Sequence, residues 1–306
     1  DRSKPAWITV SLLTVVFVAA YFVLRALPDA QCGFLHYVEI VNEDGEIELC
    51  ATNHAGFVDL TLFTYPIRVD LKPEVELSPN QATMIDLKLS TDGGMSIAPY
   101  ELAITHTEKM HVMVIDESLE DYHHVHPEAE GIDGTYRFAF EPAKTGTYRV
   151  FTEIVPNRSR RQAIALSSLE VPGKTAAPVF QTSTVSEVDG ARFVLSMTDE
   201  AIRKNRDYRF KLHITDLEDQ PIELEMVMGA KGHMVAFDAE GRGFAHMHPE
   251  GSVAAIRSAG IDLPEHDDAD LAFMFNVPNA GWYRLFAQIQ LDGKAVFGRF
   301  DLKVGN

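Results

Sequence analysis

Two stretches of the chain obey one pattern without a gap, H-x4-D-x5-[YF]-x-H-x-H-P-E, and an internal repeat of this length requires two copies of one folding unit. The first copy runs from His111 and Asp116 through Tyr122, His124 and His126 to Pro127 and Glu128. The second runs from His233 and Asp238 through Phe244, His246 and His248 to Pro249 and Glu250. In each, an apolar run (112–115 and 234–237) leads through a turn-like segment to a second short run, and Asp238-Ala-Glu-Gly241 has hairpin turn chemistry. Successive side chains of a strand alternate faces, so His124 and His126 share a face, as do His246 and His248. If His111 pairs across the hairpin with His124 or His126, three imidazoles gather on one side at its open end. A bulge would send His111 to the other face.

Neutral imidazole suits copper, zinc and nickel rather than calcium or magnesium. The candidate metal ligands are therefore His111, His124 and His126 in one copy and His233, His246 and His248 in the other, with copper or zinc as the ion. The competing reading is a structural His/Asp/Glu hydrogen-bond cluster, because duplication copies structural histidines as faithfully as functional ones. His106 and His123 have no histidine counterparts, being matched by Met228 and Ala245. Met228, Met234 and Met247 surround the second set in sequence; thioether sulfur favours Cu(I), although methionine in a strand is more often core.

Outside the histidine hairpins the copies agree again. Phe138, Phe140, Gly146, Tyr148, Arg149 and Phe151 match Phe273, Phe275, Gly281, Tyr283, Arg284 and Phe286 without a gap, and these aromatics read as core. Short strands with turn signals between them and little helical periodicity predict an all-β chain, two tandem immunoglobulin-like or cupredoxin-like β-sandwiches. The first is expected over residues 66–172, the second over 186–306, with 173–185 as linker. The second copy carries an insertion after its motif, 253–268, of the length that tends to be functional or interface-forming.

Residues 7–24 hold no charge and are flanked by Arg2, Lys4 and Arg25, which predicts one transmembrane helix within 1–27, basic flank inside and acidic body outside. The expected location is the inner membrane of a bacterium, single-pass, with the body in the periplasm. Between helix and sandwich, 28–65 reads as a hairpin carrying both cysteines, Cys32 and Cys50. In an oxidising compartment a disulfide is the default for this pair; Cys32-x3-His36 and Cys50-x3-His54 offer a Cys2His2 set as the alternative. A net charge of −18 argues against nucleic acid and is compatible with a basic soluble electron carrier as partner.

The segments 108–119, His124-Val-His-Pro-Glu128, Gly134-Thr-Tyr136 and Gly146-Thr-Tyr148 resemble secreted bacterial β-domain proteins with an HxHP signature. The second copy, from Gly229 to Glu250, is similar to the same group and, more loosely, to YtkA-like domains. The resemblance covers both β-domains and implies periplasmic domains associated with heavy-metal or copper handling, without a defined activity. The chain has no nucleophile elbow, phosphate loop, dinucleotide fingerprint or zincin motif, so a non-enzyme is expected; a zinc hydrolase using Glu128 or Glu250 as base is the residual catalytic reading. No cysteine occupies a matching position in either domain, which disfavours a blue-copper site. Two functions remain. The one expected first is a non-catalytic accessory subunit of an integral membrane complex of respiratory or photosynthetic electron transfer, joined through the helix and carrying the histidines as candidate metal sites. The other is a membrane-anchored copper- or heavy-metal-binding protein that buffers or delivers metal.

Overall fold

The structure is a computed structural model that describes residues 3–25, 37–41, 45–51, 56–62, 64–197, 201–250 and 270–306. Cys32, His36, His54 and the insertion 253–268 lie outside the described residues, as does the side chain of Cys50, so the expected disulfide falls there too. The N-terminal segment forms α1 (Ser3–Arg25), a unit separate from residues 34–306. Its stretch Trp7–Arg25, 19 residues, is long and apolar enough to cross a membrane, and none of it is buried. A helix apolar on all sides and left uncovered is the form of a membrane span or a signal sequence.

The second unit is built almost wholly of strands. Alternating apolar and polar residues around Gly45 give the hairpin of β1 (Tyr37–Val41) and β2 (Ile47–Ala51). This hairpin docks on the loop preceding the first histidine motif: Leu49 N donates to Ile104 O at 2.8 Å, and the buried Glu48 accepts from Thr107 N at 3.0 Å. Next comes β3 (Val58–Asp59), which pairs with an edge of the second sandwich although the first sandwich follows it in sequence.

The first sandwich contains β4 (Ile67–Pro73), β5 (Thr83–Thr91), β6 (Met110–Asp116), β7 (Tyr122–Val125), β8 (Glu128–Ala129), β9 (Thr135–Phe140), β10 (Gly146–Ile154) and β11 (Ala163–Val171). One sheet has the order β4-β5-β9-β8 and the other β11-β10-β6-β7. The second sandwich contains β12 (Val185–Val188), β13 (Ala191–Met197), β14 (Ile202–Arg203), β15 (Tyr208–Asp216), β16 (His233–Asp238), β17 (Gly243–Met247), β18 (Asp270–Phe275), β19 (Gly281–Leu291) and β20 (Lys294–Gly305). Its sheets are β12-β13-β15-β18 and β14-β20-β19-β16-β17-β3. The predicted pair of tandem β-sandwiches is thus present. Residues 102–105 and 222–228, which lead into the histidine hairpins, make only isolated bridges, and Pro99–Glu101 forms a 3-10 turn before the first. A proline stands shortly before each, Pro99 and Pro221, with no N–H to give to a ladder.

Inside each sandwich the strand period sorts the side chains. Ile85, Leu87 and Leu89 face Val112, Val114, Tyr148 and Val150 in the first core, and Phe193, Phe210 and Leu212 face Met234, Ala236, Tyr283 and Leu285 in the second. Each such burial contributes on the order of 1.5–3 kcal/mol.

The alternate residues decide how the two sandwiches meet. Both β6 and β16 are buried along their whole length, because their outer faces form a third core of Met113, Ile115, Tyr122, Phe151, Val235, Phe237, Phe244 and Phe286. The contacts there are reciprocal. Tyr122 of the first copy stacks on Phe286 of the second at 4.7 Å, while Phe244 of the second meets Phe151 of the first at 5.2 Å. Arg284 fixes the arrangement from the side. Buried at 1% exposure, it holds Asp301 through two bonds of 2.7 and 2.8 Å and donates to the carbonyls of Ser118, Leu119 and Val179. The linker after residue 172 is therefore held down at Val179 and Phe180, with Arg284 lying 5.0 Å over the Phe180 ring.

Candidate metal centre

Hairpin register determines whether the three histidines of a copy meet. In the first, Val112 pairs with Val125 and Met113 with His124, which places His111 opposite His126 with no bulge between. In the second, Met234 pairs with Met247 and Val235 with His246, which places His233 opposite His248. All six imidazoles leave the outer faces of their sheets, the faces that pack on one another. The ligand nitrogens of His111, His124 and His126 lie within 4.8 Å of each other, and so do those of His233, His246 and His248.

The two triads are also neighbours. His246 approaches His124 at 5.2 Å and His111 at 5.6 Å between ring centroids, separations like the 5.0 Å between His124 and His126. His106 joins them, stacked 3.6 Å from His248. It sits at φ 52°, and its counterpart Met228 at φ 51°, so both copies turn the chain at the same left-handed residue. His123, by contrast, alternates to the other face and contacts Asp121 at 3.0 Å and the Phe140 ring.

Tautomers follow from the partners. His111 Nε2 lies 2.9 Å from Thr105 O, His124 Nδ1 lies 3.0 Å from Gln288 Oε1, and His246 Nδ1 lies 3.3 Å from Glu153 Oε2. Each acceptor takes the ring N–H and leaves the other nitrogen as a lone pair, the arrangement that orients metal-bound histidines. Among the described residues, His111 Nδ1, the Nε2 atoms of His124, His126 and His246, and both nitrogens of His233 are buried without a hydrogen-bond partner. Buried polar atoms are normally paired, so a group of orphans facing one another fits an occupant with vacant coordination positions. Imidazole nitrogens with carboxylate and amide groups behind them suit copper or zinc, so the residues present fit the ion implied by the sequence.

Electrostatics point the same way. Burial pushes His106 and His126 down to about 3 and His111 to about 4, helped by neighbouring imidazoles. It drives His124, His233 and His248 well below the usual imidazole range. Neutral imidazole is the ligating form. Burial alone would raise Glu153, yet the hydrogen bond and charge of His246, with His111 and Gln162, hold it down at about 2.

Other motif residues have structural duties. Asp116 accepts from the backbone amides of Ser118, Glu120 and Asp121, and Asp238 from those of Arg242 and Gly243, so the motif aspartates shape the hairpin turns. Met234 and Met247 face the core of the second sandwich rather than the triad. Glu250 is tied to Arg209 at 2.7 Å. Sequence reasoning missed Glu153 and Gln288. They match by position, two residues after Phe151 and Phe286, and a polar residue on an otherwise apolar strand was the available signal. It noted His106 only as an unmatched histidine.

Fold and site together define a class: a tandem β-sandwich protein with a histidine triad from each copy at the domain junction. The chain belongs to the family described as Domain of unknown function (DUF8832), which matches residues 65–168 and 186–306. No curated protein matches it. Among solved structures, the Escherichia coli adhesin FdeC is similar at 13% identity, covering 89% of this chain and 74% of the adhesin, with a TM-score of 0.25. Trypsin-activated alpha-2-macroglobulin from Escherichia coli is similar at 12% identity over 89% of this chain and 18% of its own, TM-score 0.25. The fibronectin(III)-like modules of Clostridium thermocellum CbhA are similar at 10% identity over 78% of this chain and 94% of theirs, TM-score 0.20. Nothing about binding or catalysis follows from these likenesses.

Proposed function

We propose that this is a non-catalytic, membrane-anchored metal-binding protein whose body lies in the periplasm and whose two β-sandwiches hold copper or zinc at their junction. One observation carries the reading: two histidine triads, each with converging ligand nitrogens, meet in one cluster, and five of the six histidines, all but His248, keep a buried ring nitrogen without a hydrogen-bond partner. Access for an ion is at the strand ends, where His126 and His248 are only partly buried. The test is metal titration of the full-length, metal-stripped protein in mild detergent, followed by elemental analysis after desalting. Copper or zinc should remain bound, up to two equivalents per chain, and should be lost when His124, His126, His246 and His248 are all replaced by alanine. A wild-type protein that retains neither ion would sink the reading.

A second reading is favoured by the uncovered helix: an accessory subunit of an integral membrane electron-transfer complex. Trp7–Arg25 would pack on membrane partners, and the acidic body would face a basic soluble carrier. Purification from native membranes with mass spectrometry of the accompanying proteins tests it; a solitary chain would count against it. The two readings are compatible.

A further inference from the structure

We propose that the two triads act as one unequal pair, in which the His233/His246/His248 site takes the first divalent ion and, by its charge, weakens the His111/His124/His126 site. The inference rests on the metal reading above and concerns the order of filling. Three observations lead to it.

First, the triads are contiguous. His246 is as near to His111 and His124 as members of one triad are to each other. Two divalent ions held there would face each other at short range in a buried environment, where like charges repel far more than in water.

Second, the groups behind the two middle histidines cross the domain boundary and differ in charge. His124 of the first copy rests on Gln288 of the second, a neutral amide. His246 of the second rests on Glu153 of the first, a carboxylate. Glu153 and Gln288 occupy the same strand position in the repeat. Each also lies beside the leading histidine of its own copy, Glu153 opposite His111 and Gln288 opposite His233. A carboxylate behind a histidine raises the basicity of its ligand nitrogen and offsets the ion's charge, whereas an amide only orients the ring. Glu153 is itself positioned by Gln162 Nε2 at 2.6 Å.

Third, His106 stacks on His248, a member of the second triad, while the equivalent place in the second copy is taken by Met228. The carboxylate behind His246 therefore favours the second site, on the side of the cluster where His106 also lies. One carboxylate cannot neutralise two divalent ions, so the second ion binds against uncompensated charge.

Glu153 is a positioning residue in this scheme, and Gln288 is its neutral counterpart. The experiment is a Zn(II) competition titration of the full-length protein in detergent, with Co(II) absorption to follow the two sites separately. The wild type should bind its first Zn(II) at least tenfold more tightly than its second. Glu153→Gln should weaken the first step about tenfold or more and bring the two affinities together. Gln288→Glu should do the opposite of damage and tighten the weaker step, a gain that a merely structural role would not produce. His246→Ala should abolish the tighter site and His124→Ala the weaker one. Two equal, independent sites in the wild type, or a Gln288→Glu protein whose weaker step is unchanged, would overturn the proposal. Failure to bind Zn(II) or Co(II) at all would instead remove the metal reading beneath it.

Discussion

Arg284 shows how much one side chain holds in this fold. Its guanidinium is buried, paired with Asp301 and donating to carbonyls of the first sandwich and the linker. Removing one partner of such a pair strands the other charge, which typically costs 3–5 kcal/mol. Arg284→Met should therefore lower stability by roughly that amount, read as a shift of the urea midpoint at constant slope; a loss below about 1 kcal/mol would mean the bonds to Ser118 and Leu119 hold nothing. The matched residue Arg149 lies against Gly241, where an added Cβ would come within 2.4 Å of its guanidinium carbon. Matching Arg149 with Arg284 was possible in the sequence. Their use as rivets was not, because it depends on which turn of the other copy each one reaches.

At the scale of elements, β6 and β16 were readable as strands, but not what covers their outer faces. Met110-His-Val-Met-Val-Ile-Asp116 and His233-Met-Val-Ala-Phe-Asp238 lack the polar alternation of a strand with one wet face, the pattern of a doubly buried strand. The reciprocal aromatic contacts explain it, and Phe286→Ala should cost about 3–5 kcal/mol while leaving each sandwich's own core intact. Near-ultraviolet circular dichroism with denaturant titration would check this; an unchanged midpoint would place the stability elsewhere. The two-residue β3 had no signal of its own. It pairs where Gly243 admits it, since a Cβ there would lie 1.7 Å from Val58 O. Gly243→Ala should detach β3, seen as faster hydrogen exchange at Leu60, whose amide donates to Arg242 O at 3.0 Å.

For the molecule as a whole, the enclosed histidines make folding pH-dependent. His106 and His126 titrate at about 3 and His111 at about 4 in the fold, against about 6.5 in the unfolded chain. Below pH 6.5 the unfolded chain binds more protons, so stability falls as pH drops, by up to about 1.4 kcal/mol per pH unit for each group. About a unit above pH 6.5 the unfolded histidines are also neutral and these groups contribute no slope. Glu153, held at about 2, loses its contribution only below the ordinary carboxylate range and does not oppose the trend between pH 7 and 5. The urea midpoint of the metal-free protein should fall across that window, and a flat profile would contradict an enclosed cluster. The junction also predicts that residues 186–306 made alone would self-associate, because Val235, Phe237, Phe244 and Phe286 would face water. A monodisperse monomer in size-exclusion chromatography would argue that the interface is dispensable.

The repeat, the two β-sandwiches, the apolar N-terminal helix and the grouping of histidines by threes are all legible along the chain, because strand alternation and turn chemistry are local and act within a few residues. The insertion 253–268 and the cysteine pair were legible as features whose structure lies outside the described residues. That the two triads share one cluster, that Glu153 and Gln288 cross between copies to orient His246 and His124, and that His106 belongs with them emerges only once the sandwiches pack together. Those relations join residues as far apart as His124 and Gln288, and they arise from two outer sheet faces burying each other, a choice made by the summed fit of many apolar side chains rather than by any one pattern along the chain.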